Sequence, residues 1–116
     1  MGLEREGIQQ AREASKIFKQ LGEVVEQAYS LITLAWLLCD GGQLDAAEET
    51  GLHAINLLPE NGEGARVCLG HRVLGFIYRS KGNMKKAVHF VTKANSRMHR
   101  FTLNAPSRTR PTTRTI

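Results

Sequence analysis

The sequence predicts an all-α fold of about five antiparallel helices followed by a disordered C-terminal tail. Three observations carry that prediction. Apolar residues recur at intervals of three and four over residues 3–100, the spacing of one helix face. Breaks built on glycine or proline cut this run at Gly22, Gly41-Gly42, 59–64 and 81–83. The pattern of one segment also returns at a fixed offset of 40 residues, so a repeat is considered before any other architecture.

Residues 3–21, LEREGIQQAREASKIFKQL, form the first helix, with Ile8, Ala11, Ala14, Ile17 or Phe18, and Leu21 as its stripe. Gly22 ends it, because glycine takes the left-handed conformation of a helix C-terminus cheaply. The second helix runs from about Val24 to Asp40, with Ala28, Leu31, Leu34, Ala35 and Leu38 inward. The third runs from about Leu44 to Leu58, with Ala47, Gly51, Ala54, Ile55 and Leu58 as its stripe, and Pro59 closes it. Asp45, Glu48 and Glu49 lie near its start, where negative charge suits the helix dipole. Small residues stand where paired helices touch, Ala35 on one and Ala47 on the other, since interaxial distance follows contact-residue size. PENGEG, residues 59–64, is a turn by composition. The fourth helix runs from about Ala65 to Ser80, and KGN, 81–83, is the next turn. The fifth runs from about Met84 to Arg100, with Ala87, Val88, Val91, Ala94 and Met98 buried and Phe90 left without a neighbour. From Phe101 the sequence FTLNAPSRTRPTTRTI has two prolines, five threonines and no helical period. It lacks the apolar surface to offset chain entropy, and residues 101–116 are expected to be disordered.

The repeat aligns Leu34 with Leu74, Ala35 with Gly75, Leu38 with Tyr78, Gly42 with Gly82, Ala47 with Ala87 and Ala54 with Ala94. One copy supplies Leu31, Leu34, Ala35, Leu38, Gly42, Ala47, Gly51, Ala54 and Pro59. The other supplies His71, Leu74, Gly75, Tyr78, Gly82, Ala87, Val91 and Ala94. On these residues the chain resembles the tetratricopeptide repeat family. The resemblance implies a right-handed α-solenoid over residues 1–100: a half repeat 3–22, a repeat 24–59 and a repeat 65–100. Two residues depart from the family pattern. Gly51 replaces the usual aromatic, implying a hole or a close backbone approach, and His99 stands in place of the closing proline. The period of 40 exceeds the family's common period of about 34. It is similar to the extended repeats of fungal scaffold and signalling proteins. Ala14 aligns with Ala54, so the first helix matches the second helix of a repeat. The chain is thus expected to start in mid-repeat and to be a piece of a longer array.

No apolar run reaches the about 18 residues a membrane span needs, and MGLEREGIQQ lacks the apolar stretch of a signal peptide. Cys39 and Cys68 have no paired spacing and fall inside helices. They read as buried free thiols of a reducing, cytoplasmic compartment. Charge is divided along the chain. Residues 1–65 carry 4 basic and 11 acidic side chains, and residues 66–116 carry 12 basic and no acidic ones. This asymmetry allows a basic interaction surface or head-to-tail self-association, as well as a basic tail and solvated helix faces.

No phosphate loop, nucleophile elbow, metalloprotease motif or Cys/His cluster is present, so no enzyme, metal or cofactor is expected. His71 falls on the inter-helix face and reads as a packed core histidine. His89 and His99 are too far apart along one helix to share a metal ion. What remains is surface. By the family resemblance, the first helix of each repeat lines a concave groove. The corresponding residues are Tyr29, Ile32, Thr33, Trp36, Cys39 and Asp40, then Leu69, Arg72, Val73, Phe76, Arg79 and Ser80. The candidate partner-binding set is Tyr29, Ile32, Thr33, Trp36, Arg72, Val73, Phe76 and Arg79. Aromatic residues and arginine are enriched at binding hot spots. The set suits an extended peptide or helix with apolar anchors and an acidic residue. The competing reading makes Ile32, Trp36 and Phe76 core between repeats. The family's clamp for a terminal carboxylate uses Lys and Asn, and Ile32, Trp36, Val73 and Phe76 replace them, which excludes that activity. A protein-binding scaffold or docking module is therefore expected. The rival class is nucleic-acid or polyanion binding through Arg97, Arg100, Arg108, Arg110 and Arg114. No aromatic interleaves with those arginines beyond Phe101 and no base-reading motif accompanies them.

Overall fold

The computed structural model describes the backbone of residues 2–59 and 64–103, and the side chains of 5–59 and 64–96. Among them are five helices and no strand: α1 (Gly2–Leu21), α2 (Val24–Asp40), α3 (Leu44–Leu57), α4 (Ala65–Ser80) and α5 (Met84–Leu103). No described helix is long and apolar enough to cross a membrane.

Three of the four connections use one chemical device. After α1, α2 and α4 the chain reverses at Gly22, Gly42 and Gly82, with φ of 76°, 87° and 84°. At each, the glycine N–H and the next N–H donate back to the last turn: Gly42 to Cys39 at 3.0 Å and Gln43 to Leu38 at 2.9 Å, for example. This pairing satisfies carbonyls that the helix end would otherwise orphan, and only glycine takes the required φ without strain. At the last of these turns Asn83 Oδ1 accepts from the Lys86 N–H at 3.1 Å and so caps α5. Turns this short return the chain antiparallel, so α1–α2, α2–α3 and α4–α5 lie side by side. Helix α4 also packs on both α2 and α3, joining the two hairpins.

The expected stripes of α2 and α3 are mostly inward. Ala28, Leu31, Leu34, Ala35, Leu38, Ala47, Ala54 and Leu58 are buried, while Ile55 is half-buried. Ala35 and Ala47, the small residues expected between paired helices, are both fully buried. A Cβ added at Gly51 would lie 2.9 Å from Leu74 Cδ2, so the Leu74 and Ile77 side chains of α4 fill the space, and neither a hole nor a close backbone is found there. A Cβ at Gly75 would meet Val91 Cγ2 at 2.7 Å and the Ala87 carbonyl at 3.4 Å, so glycine lets α4 lie against the α5 backbone.

Several expectations are corrected. On α1, Phe18 is half-buried while Ile17 and Leu21 are exposed, because no further helix covers that side of α1 among the described residues. On α5, Ala87 and Ala94 are buried, but Val88 is 60% exposed and Val91 40% exposed. Their stripe is wider than the single helix, α4, that α5 packs against. Phe90 does have neighbours: its ring stacks on Tyr78 at 5.6 Å and on His71 at 5.9 Å. Cys39 is half-buried and not fully inside, whereas Cys68 is buried, and both thiols are free. Helix α3 ends at Leu57, where Leu58 turns extended ahead of Pro59. Helix α5 runs on to Leu103, past the expected stop at Arg100, since no glycine or proline interrupts it before Pro106. The remainder of the tail (104–116), residues 60–63 of the PENGEG turn and the side chain of Met98 lie outside the described residues.

Candidate functional site

Helices α2 and α4 lie alongside one another so that residues one repeat apart meet. Trp36 and Phe76 make the clearest pair: ring centroids 5.4 Å apart, planes at 70°, edge to face. Such a pair contributes about 0.5–1.5 kcal/mol beyond the area it buries. Neither ring is core, for Trp36 is 42% and Phe76 40% exposed. The second such pair is Glu26 and Arg66, whose Oε2 and Nη1 are 2.8 Å apart. Arg66 also lies over the Tyr29 ring, 5.0 Å from its centroid. Arg66 was not among the sequence-derived candidates. Its signal was available: it stands one repeat beyond an acidic residue, with opposite charge.

Three adjoining hollows run across this face. Tyr29, Ala65, Arg66, Leu69 and Arg72 border the first, of about 420 Å³. Ile32, Thr33, Trp36, Leu69, Arg72, Val73 and Phe76 line the second, of about 260 Å³. Arg72, Phe76, Arg79, Met84, Val88 and Val91 line the third, of about 360 Å³. The structure therefore brings six of the eight candidates, Ile32, Thr33, Trp36, Arg72, Val73 and Phe76, around one apolar hollow. Their roles differ. Ile32 and Val73 are buried and make its floor, while Thr33, Trp36, Arg72 and Phe76 are exposed at its wall and rim. Tyr29 belongs to the first hollow. Arg79 shares a hollow with Phe76 and does not line the one that holds Trp36. Placed on α4 one turn beyond Phe76, it faces α5 and borders the third hollow.

Electrostatics on this face are mostly basic, with Glu26 as the acidic partner of Arg66. Arg66, Arg72 and Arg79 of α4 border it, and α4 and α5 carry no acidic residue over 65–96. The carboxylates nearest α4 are already engaged. Lys81 Nζ donates to Asp45 at 2.7 Å and to Glu48 at 2.6 Å, and Tyr78 donates to Glu48 at 2.6 Å. The hydrogen bond from Lys81 holds Asp45 below the usual carboxylate range. Lys81, then Tyr78, does the same for Glu48. Burial, then the bond to Glu48, pushes the Tyr78 phenol up to about 12. The bonds to Asp45 and Glu48 raise Lys81 as well. This cluster ties α3 to α4 and lies outside the three hollows.

His71 is buried, as expected for a packed core residue, with Nδ1 3.1 Å from the Val67 carbonyl. Among the described residues no cluster of His, Cys, Asp and Glu is arranged to hold a metal ion. Comparisons with protein-family models, with curated proteins and with solved structures gave no match for this chain.

Proposed function

We propose that the chain is a non-catalytic docking module, built as a right-handed tetratricopeptide-like solenoid, that binds a protein segment across α2 and α4. The observation that carries this reading is the half-exposed Trp36–Phe76 pair, set over an apolar floor and bordered by Arg72. A monomeric protein gains nothing in stability by leaving such rings in water, whereas burying an aromatic beside an arginine is the usual core of a binding hot spot. The ligand is an extended or helical peptide with an apolar anchor for the Trp36–Phe76 hollow and a carboxylate for Arg72. A single anchor of this size, less the cost of ordering the peptide, gives affinity on the order of micromolar. The groups with shifted proton affinity, Asp45, Glu48, Tyr78 and Lys81, bond one another across a helix junction and serve packing. The two free thiols suit a reducing, cytoplasmic setting.

Trp36 is the single tryptophan, so its emission reports on the site directly. Titration with acidic-apolar peptides should shift that emission, and Arg72→Ala should weaken binding about tenfold. Binding that persists at high salt supports an apolar groove. Binding of an oligonucleotide that collapses steeply with salt, with no peptide effect on Trp36, overturns the reading in favour of polyanion binding.

A further inference from the structure

The 40-residue offset makes one face of α4–α5 the counterpart of a face of α2–α3. Ala35, Trp36, Cys39, Glu48 and Gly51 on the first hairpin correspond to Gly75, Phe76, Arg79, Val88 and Val91 on the second. On α2–α3 this face is covered by α4. Leu74 and Ile77 lie against Gly51, Tyr78 and Lys81 bond Glu48, and the Cys39 thiol is 3.8 Å from the Ser80 hydroxyl. On α4–α5 no described helix takes that place. Met84 is 57% exposed and Val88 60%, and with Val91, Phe76, Arg72 and Arg79 they line the third hollow, of about 360 Å³.

We propose that this hollow is a second docking surface. It seats one amphipathic helix of a partner protein, laid on α4–α5 as α4 is laid on α2–α3, with acidic residues flanking its apolar stripe. The charge pattern specifies the occupant. Helix α4 brings Arg66 and Lys81 to Glu26, Asp45 and Glu48. One repeat on, Glu26 and Asp45 become Arg66 and Lys85, and Ile32 and Cys39 become Arg72 and Arg79. A basic seat in place of an acidic one calls for carboxylates where α4 carries cations. Residues 104–116 of this chain hold Arg108, Arg110 and Arg114 and no acidic residue, so like charge excludes them as the occupant. The free apolar end of a second copy, at Ile17, Leu21, Val24 and Val25, carries Lys16 and Lys19 beside Glu13 and Glu23, a mixed border that matches an all-basic seat less well than an acidic helix does.

The test uses the full chain and a helical peptide of residues 65–81 carrying Arg66→Glu, Arg72→Glu, Arg79→Glu and Lys81→Glu, beside the unaltered basic peptide. The acidic peptide should bind and shift the NMR methyl signals of Val88, Val91 and Ala87. Val88→Glu and Lys85→Glu, both at exposed positions, should each weaken it about tenfold while leaving the melting temperature in place. Four results overturn the proposal: no binding of the acidic peptide, equal binding of the basic one, shifts confined to α3 or Trp36, or a dimer in light scattering that protects Val88. Phe76 and Arg72 line both hollows whereas Val88 lines only this one, so Val88→Glu should leave the Trp36 titration with short peptides unchanged, and either surface can then fail alone.

Discussion

The phenolic oxygen of Tyr78 donates to Glu48 Oε2 at 2.6 Å, and that bond crosses from the first hairpin of the chain to the second. The same ring stacks on Phe90 of α5 at 5.6 Å, with Lys86 Nζ 5.2 Å from its centroid. One side chain therefore links α3, α4 and α5. Tyr78→Phe keeps the stack and removes only the hydrogen bond to a charged acceptor, which still holds Lys81. It should cost about 1–2 kcal/mol, read as a lower urea midpoint at unchanged slope.

The Asp45–Glu48–Lys81–Tyr78 cluster sets a pH dependence at both ends. Asp45 and Glu48 have folded values lowered from 3.8 and 4.5, so their contribution is present above those values and lost as pH falls below them. Lys81 is raised from its ordinary value, and Tyr78 is raised from 10.0 to about 12, so their contribution is present below the unfolded values and lost on going more alkaline. Melting temperature against pH should fall below about pH 4.5 and above about pH 10. Glu48→Gln should flatten the acid limb, and an unchanged limb would show that the cluster contributes no linkage.

Helix packing at α3 and α4 should be unforgiving. Ala47 is fully buried, and Gly51 already has Leu74 where its own Cβ would go. Ala47→Leu should cost about 1–3 kcal/mol by overpacking, and Gly51→Val about as much. Val91, the repeat counterpart of Gly51, packs one methyl on Gly75 and leaves the rest of its side chain in solvent. Val91→Ala should therefore cost less than either, about 1 kcal/mol or below. Denaturant midpoints of the three variants check the contrast.

Solvent access to Trp36 should be intermediate. With the indole 42% exposed and edge-on to Phe76, acrylamide should quench it measurably in the free chain, and a bound groove peptide should suppress that quenching. Phe76→Ala should increase quenching of the free protein and reduce the peptide's protection. An emission already typical of a fully buried indole would return both rings to the core.

Arg66 makes an ion pair with Glu26 and a cation–π contact with Tyr29, yet the charged side chains are 42% and 40% exposed. Solvent screens such a pair, and Arg66→Ala should change stability by about 1 kcal/mol or less. Double-mutant cycles with Glu26→Gln and Tyr29→Leu would measure the coupling.

Local chemistry made the helices and their pairing legible in advance. Gly22, Gly42 and Gly82 end helices because no other residue takes their φ cheaply, and those reversals are encoded residue by residue. The offset of 40 placed Trp36 against Phe76, because equivalent positions on neighbouring helices of a repeat must meet. His71 and the Ala35–Ala47 stripe were readable for the same reason: spacing assigns a face to each residue of a helix. Whether anything covers that face is a relation between elements, and there the sequence pattern was silent. Val88 and Val91 share the apolar spacing of Ala87 and Ala94 but lie open, since α4 alone meets α5 and reaches only part of the stripe. Ile17 and Leu21 are open for the same reason at the other end. The Tyr78–Glu48–Lys81–Asp45 cluster, the Phe90 stack and the transfer of Arg79 from the Trp36 hollow to the next depend on how α4 lies across α2, α3 and α5. Side chains more than 30 residues apart in sequence, such as Lys81 and Glu48, meet only once those helix axes have taken their places.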